Sequence, residues 1–164
     1  MLTVRREDFI PPCYRDHAYE EIPLPLPGVR ATISCPHSYP LFYEPLGLGE
    51  GHRFLEVGVG SGYGTSLARE VVGPDGLVVA IDIDATTLSF ARKNLERAGY
   101  TDVLLVHGDG GLARGRLIVP VIEGTRQRLT LLEKTVDGVR RTILADVLYV
   151  SLRGRYGVAS DPHA

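Results

Sequence analysis

An apolar run that ends in closely spaced glycines and then feeds a helix leaves a chain few folds to adopt. Here Arg53-Phe54-Leu55-Glu56-Val57 precedes Gly58-Val59-Gly60-Ser61-Gly62-Tyr63-Gly64. The first segment predicts a buried strand, and the glycines remove the Cβ atoms that would hold a ligand away from the backbone. A helix is predicted over 65–72, stopped at Gly73, a residue suited to a left-handed cap. Pro74-Asp75-Gly76 turns the chain, and Leu77-Val78-Val79-Ala80-Ile81 predicts the second strand. Asp84 suits the N-cap of a helix that starts at Ala85. In that helix Leu88, Ala91, Leu95 and Ala98 share one face, with Arg92, Lys93, Glu96 and Arg97 mostly on the other. Gly99 ends it, and Val103-Leu104-Leu105-Val106 predicts a third strand, closed by Gly108-Asp109-Gly110-Gly111. Strands alternating with helices in this way imply a parallel sheet with right-handed crossovers.

The flanks read differently. Residues 1–50 carry Pro11, Pro12, Pro23, Pro25, Pro27, Pro36, Pro40 and Pro45, which remove backbone donors and disfavour helix, so extended segments and turns are expected. Phe9, Tyr14, Tyr19, Ile22, Leu24, Leu26, Tyr39, Phe42 and Tyr43 need a surface to pack on, which makes this stretch an arm over the sheet. From Arg116 onward the runs Leu117-Ile118-Val119-Pro120-Val121, 128–135 and 140–152 are β-rich, with Asp137-Gly138 as a hairpin signal. The expected fold is α/β: a Rossmann-like three-layer sandwich whose parallel sheet carries an antiparallel C-terminal tail. One domain is expected, in three parts: the proline-rich arm 1–50, a ligand-binding core 51–111 and the β tail 112–164.

Composition narrows the function. The chain has 164 residues, enough for one ordinary domain, and its formal net charge of −2 gives no sign of nucleic acid or an acidic membrane as partner. Arg126, Arg128, Arg140, Arg141, Arg153 and Arg155 gather late in the chain, in strand-like sequence that suits a solvated sheet face. The cysteines, Cys13 and Cys35, make neither a disulfide framework nor a zinc-spaced pair, so no metal is expected. No apolar run has membrane-spanning length and the N-terminus lacks a secretory pattern, so a cytoplasmic protein is expected.

The spacing from Gly58 is G-x-G-x-G, with Tyr63 where a dinucleotide fold has its third glycine. Glu56 stands two residues before the first glycine, and this acid-x-G-x-G-x-G order is the class I methyltransferase pattern. S-adenosylmethionine carries no phosphates, so the loop need only admit a compact cationic group. Asp82 ends the second strand, where a carboxylate takes both hydroxyls of a ribose. Asp109 ends the third at the same edge, within reach of an adenine amino group. The competing role for both acids is that of cap or turn residue. Glu56, inside an apolar strand, needs a partner; it either holds the loop backbone or meets the cofactor through its neighbours. The candidate cofactor-binding residues are Glu56, Gly58, Gly60, Ser61, Gly62, Tyr63, Asp82, Ile83, Asp109 and Gly110, with Tyr63 as a wall of the pocket.

Beyond this pattern the chain resembles the protein-L-isoaspartate O-methyltransferases. Arg5-Arg6-Glu7-Asp8-Phe9-Ile10-Pro11-Pro12 is similar to their "R-x-x-F-V-P" opening, and Ala31-Thr32-Ile33-Ser34-Cys35-Pro36-His37 to their "T-I-S-x-P-H" segment, which generic methyltransferases lack. Leu55-Glu56-Val57-Gly58-Val59-Gly60-Ser61-Gly62-Tyr63, Phe90-Ala91-Arg92-Lys93-Asn94-Leu95, Gly108-Asp109-Gly110, Gly115-Arg116-Leu117-Ile118-Val119-Pro120-Val121 and Val150-Ser151-Leu152-Arg153-Gly154 resemble further family blocks. The resemblance implies methyl transfer from S-adenosylmethionine to the carboxylate of isoaspartyl residues in damaged proteins. It places Ser34 nearest the reacting carboxylate, with Thr32 and His37 shaping that pocket. Two departures stand out. The chain begins almost at the opening block, and Gly111-Leu112-Ala113-Arg114 replaces a family stretch of helix, strand and helix that helps form the substrate side of the cleft. A parallel crossover needs about a dozen residues, so one core strand is expected to be missing and Leu117 cannot lie parallel beside Val103. An open cleft, weak turnover and an exposed sheet edge open to homodimerisation follow as expectations. The alternatives are a degenerate relative that binds S-adenosylmethionine or a peptide without turnover, an inactive broken gene product, and a nicotinamide oxidoreductase. Tyr63 and the 32–37 segment argue against the last.

Overall fold

A parallel sheet forms where strand and helix patterns alternate. The computed structural model describes residues 3–28, 31–109 and 116–149. Within them β3 (Arg53–Val57), β4 (Leu77–Asp82) and β5 (Leu104–His107) pair in parallel in the order β3-β4-β5. The register sets Val57 against Ile81 and Asp82 against His107. Helix α2 (Tyr63–Val72) joins the first two strands and α3 (Ala85–Arg97) the last two. The Asp84 carboxylate accepts the Thr87 N–H at 2.7 Å, a cap worth about 1 kcal/mol. Helix α2 starts two residues earlier than its pattern predicts, because Gly62 at φ 85° turns the glycine loop directly into the first helical turn.

Alternation along the strands decides what the sheet buries. Val78 and Ala80 face the helices and pack with Ala68, Val72, Leu88 and Ala91. Leu55, Leu104 and Val106 point the other way and are 40%, 54% and 44% exposed. The described residues therefore build two layers of the expected sandwich here, and the third has no element among them.

The N-terminal segment packs on the helical side. Its 3₁₀ turns at Arg6–Phe9 and Pro12–His17 lead to a two-residue-deep hairpin, β1 (Leu24–Pro25) with β2 (Thr32–Ile33). Phe9, Ile10, Leu24, Leu26 and Ile33 enclose Tyr63, Leu67 and Leu95. One element here corrects the sequence reading: Ser38–Leu46 is an α-helix, α1, despite Pro40 and Pro45. Pro40 is the third helical residue, where the backbone N–H has no intrahelical acceptor in any case. Pro45 falls in the last turn, and Gly47 at φ 58° closes the helix directly after it.

The C-terminal strands β6 (Arg116–Glu123), β7 (Arg126–Thr135) and β8 (Gly138–Val147) form a separate antiparallel meander. Two-residue turns at Gly124-Thr125 and Val136-Asp137 connect them. Leu117 pairs antiparallel with Leu132 of β7 and does not lie parallel beside β5. Glu123 receives both Arg128 and Arg141 on the solvated face. Arg116 reaches the Pro45 carbonyl of α1 at 2.5 Å, and Tyr149 lies 5.8 Å from Phe42, so the meander touches the sheet domain through α1. The short connection at 111–115, and the family-like block at 150–154, lie outside the described residues. No helix among the described residues is long and apolar enough to cross a membrane.

Candidate functional site

The ends of all three parallel strands converge on Asp82. The N–H groups of Gly58 and Val59 donate to the Ile81 carbonyl at 2.8 and 3.2 Å, folding the glycine loop over the tip of β4. The Gly60 N–H then donates to Asp82 Oδ2 at 3.3 Å and the Asp84 N–H to Oδ1 at 3.0 Å. From the other side the Gly108 N–H reaches the Asp82 carbonyl at 2.9 Å. A carboxylate offers about four acceptor positions, so two backbone donors orient this one without exhausting it. Ile83 beside it is 44% exposed, and its carbonyl accepts from His107 Nε2 at 3.0 Å. Asp109 is exposed at the same edge; Gly110 lies outside the described residues.

The glycines of the loop divide into two kinds. A Cβ on Gly58, at φ 86°, would meet nothing within 4 Å, and one on Gly60 would come no closer than 3.7 Å to any neighbour. Gly58 borders open space, and Gly60 lies in ordinary contact distance of Leu26 and the Thr32 carbonyl. At Gly62 a Cβ would press on Leu95 at 3.0 Å, and at Gly64 it would collide with the Glu56 carboxyl. These two are required by packing. Even spacing in the sequence hides the difference.

Glu56 has a bracing role in the structure. Its carboxylate accepts the Thr65 hydroxyl, tying the strand to the first turn of α2. Burial pushes its carboxyl up to about 7, nearby Asp82 pushes the same way, and the Thr65 bonds oppose both. The adjacent Gly64 carbonyl accepts from the Tyr43 hydroxyl at 2.6 Å.

Two loop residues face inward. The Ser61 hydroxyl accepts the Tyr63 N–H at 3.3 Å, and the Ser61 carbonyl accepts from Asn94 Nδ2 at 3.0 Å. Tyr63, expected as a pocket wall, is 1% exposed. Its ring is enclosed by Phe9 at 5.6 Å, Tyr39 at 4.9 Å and the Arg6 guanidinium at 5.3 Å. Helix packing of its neighbours draws it into the core.

Arg6 is the residue that sequence reasoning passed over. It is fully buried, donating from Nε to the Ala18 carbonyl at 2.5 Å and from Nη2 to the Ser34 carbonyl at 2.7 Å. Its Nη1 is buried without a hydrogen-bond partner among the described residues. Its place in the "R-x-x-F" opening marked it as notable; nothing in the sequence marks it as buried.

The 32–37 segment lies across the loop. The Thr32 carbonyl stands 3.8 Å from the position a Cβ would take on Gly60, which brings this segment into contact with the glycine run. Thr32 is exposed, Ile33 buried and Ser34 half-buried, with the Ser34 carbonyl fixed by Arg6. His37 is exposed and meets the Glu21 carboxylate through its N–H at 3.3 Å and its Nδ1 at 2.5 Å. Thr32, Gly58, Gly60 and Asp82 thus gather at one edge, with Ile83 and Asp109 beside them, while Ser61 and Tyr63 support from behind.

Comparison with known proteins matches residues 1–114 to the family model "Protein-L-isoaspartate(D-aspartate) O-methyltransferase (PCMT)". Protein-L-isoaspartate O-methyltransferase 1 of Archaeoglobus fulgidus is 34% identical over 183 residues, covering 94% of this chain and 83% of its own. The Aeropyrum pernix protein-L-isoaspartate O-methyltransferase is 36% identical over 192 residues, 98% of this chain and 74% of its own. An alignment of 183 positions that uses 94% of 164 residues, about 154, leaves about 29 positions of the Archaeoglobus protein without a counterpart. The family match also stops at residue 114, beside the short connection. Among solved structures, a protein-L-isoaspartate O-methyltransferase superposes with a TM-score of 0.76 at 28% identity, over 90% of this chain and 57% of that one. A Plasmodium falciparum beta-aspartate methyltransferase, solved with S-adenosyl-L-homocysteine, gives 0.77 at 22% identity over 92% and 87% of the two chains, a likeness of fold.

Proposed function

Because this chain belongs to the protein-L-isoaspartate(D-aspartate) O-methyltransferase family, we propose that it methylates the carboxylate of isoaspartyl residues in damaged proteins, with S-adenosylmethionine as donor. The observation that carries the reading is the 32–37 segment lying across Gly60 at the strand ends that bear Asp82. The site fits the cofactor: Gly58 borders open space, Gly60 leaves room beside the 32–37 segment, Asp82 retains acceptor capacity, and Ile83 offers an exposed apolar surface. Asp82 would accept from the ribose hydroxyls, Ile83, Asp109 and Gly110 would border the adenine, and the Gly58–Gly60 backbone would receive the amino-acid end. Glu56, Ser61, Gly62 and Tyr63 hold the loop in shape.

Bound there, S-adenosylmethionine supplies an electrophilic methyl on a sulfonium sulfur. The acceptor carboxylate, with an ordinary pKa of about 4, is already ionised at neutral pH, so the protein need supply no base. Its task is orientation, where misplacement by about 1 Å costs about a hundredfold in rate. Ser34 donates to the acceptor carboxylate, Thr32 and His37 shape its pocket, and Arg6 fixes the Ser34 backbone. The arm, core and β tail act as one unit. Isoaspartyl peptides and proteins are the substrates, nucleic acid is no partner, and the protein works in the cytoplasm.

A second reading has its own support. The positions without a counterpart and the apolar sheet face left exposed at Leu55, Leu104 and Val106 support it. A chain that binds S-adenosylmethionine but turns over slowly fits this, with a second copy covering the apolar sheet surface. Calorimetric titration with S-adenosylmethionine, followed by radiolabel transfer to an isoaspartyl peptide, separates the two. Binding with transfer supports the enzyme, binding without it the degenerate relative, and no binding refutes both.

A further inference from the structure

Hairpin register brings together three metal-ligating side chains that the sequence scatters. β1 and β2 pair Leu24 with Ile33 and Pro25 with Thr32. Continued outward by three residues on each strand, the same register sets position 21 opposite position 36, between Cys35 and His37. In the structure one ligand atom from each of Glu21, Cys35 and His37 lies within 4.8 Å of the other two. We propose that Glu21, Cys35 and His37 form a binding site for a thiophilic divalent cation of the zinc type.

The ligand chemistry is a thiolate, an imidazole and a carboxylate, the set that zinc takes in tetrahedral sites, with metal–sulfur bonds of about 2.3 Å and metal–nitrogen or –oxygen bonds of about 2.0–2.2 Å. Those bonds require ligand atoms about 3.3–3.6 Å apart. The Cys35 sulfur, within 4.8 Å of both, needs to close by up to about an ångström and the Glu21–His37 pair to open by about as much, and the Glu21 and His37 side chains, 57% and 58% exposed, have the freedom to do it. Two of the three are already in contact, His37 Nδ1 to Glu21 Oε2 at 2.5 Å. Cys35 is half-buried beside them, which shields the sulfur while leaving it reachable.

Binding forms one bond each to Cys35 Sγ, His37 Nδ1 and a Glu21 oxygen. The Glu21–His37 hydrogen bond breaks, the thiol proton passes to solvent, the imidazole proton moves from Nδ1 to Nε2 by exchange with solvent, and water fills the fourth position. Binding therefore releases protons to solvent.

The test uses the full chain, without cofactor or peptide, so its outcome is independent of the methyl-transfer reading. Zn²⁺ is titrated calorimetrically, and Co²⁺ serves as the optical probe for thiolate ligation. About one ion per chain is expected, with a thiolate-to-cobalt charge-transfer band; Cys35→Ser abolishes the band, and Cys35→Ser and Glu21→Gln each weaken Zn²⁺ binding at least about tenfold. Cys13→Ser, which alters the exposed second thiol, leaves both readings unchanged. A Co²⁺ complex lacking the thiolate band, wild-type affinity in Cys35→Ser or Glu21→Gln, or loss of binding in Cys13→Ser would each overturn the proposal. Both Glu21 and His37 are exposed, so Glu21→Gln keeps the test decisive if Cys35→Ser disturbs the fold.

Discussion

Replacing Glu56 by Gln isolates the cost of keeping a carboxyl beneath the glycine loop. The group titrates near 4.5 when the chain is unfolded and near 7 when folded, with burial as the main cause. The folded state therefore binds more protons than the unfolded state between those values, and stability falls as pH rises through the window. Below about pH 4.5 the carboxyl is neutral in both states and the penalty is absent. Above about pH 7 it is ionised in both states, and the folded chain bears the full cost, at most about 3 kcal/mol from that gap at 1.36 kcal/mol per pH unit. Glutamine keeps the shape and an acceptor for the Thr65 hydroxyl but cannot ionise. The variant should gain on wild type by up to about 3 kcal/mol between pH 5 and 8.5, or about 1.5 M in urea midpoint at a slope of about 2 kcal/mol/M. Urea unfolding followed by far-UV circular dichroism at the two pH values measures this. Equal midpoint differences at both would refute the reasoning, for Glu56 would then not be penalised by burial.

Asp82→Ala should weaken S-adenosylmethionine binding by roughly 10- to 150-fold, the worth of a charged hydrogen bond of about 1.5–3 kcal/mol; calorimetry checks it, and unchanged affinity refutes the ribose assignment. Gly62→Ala, at φ 85° with Leu95 at 3.0 Å, should cost about 1–3 kcal/mol of stability, whereas Gly60→Val should abolish cofactor binding; chemical unfolding and calorimetry read the two. Arg6→Ala leaves the Ala18 and Ser34 carbonyls without their buried donor and should cost about 3–5 kcal/mol, measured as a fall in urea midpoint. Methyl transfer to an isoaspartyl peptide should be weak even where S-adenosylmethionine binds, and robust turnover would refute the expected loss of the cleft's substrate side.

Much of the parallel core was legible because its signals are local. The run 53–57 and the glycines after it, the Asp84 cap and the apolar face of the 85–97 helix each lie within a few residues, where backbone geometry and periodicity act. The antiparallel tail was legible in its β-rich runs and the Asp137-Gly138 turn, and Gly111-Leu112-Ala113-Arg114 is too short for a parallel crossover; that the tail forms a sheet of its own was not legible. Helix α1 was not legible, because proline's penalty depends on position within a helix whose ends the sequence did not mark.

For the site, the sequence by itself determined which residue types stand at the strand ends: the glycine loop, Asp82 and the 32–37 segment. Tertiary structure decided which of them face open space. Ser61 and Tyr63 turn inward, Gly62 and Gly64 serve packing, and Arg6 threads into the core to hold Ser34. The meeting of Glu21 with Cys35 and His37 depends on hairpin register, and that of Thr32 with Gly60 on how the N-terminal segment lies over the loop. Burial and long-range contact are properties of the packed chain; a local pattern can name the groups, but only packing sets the distances between them.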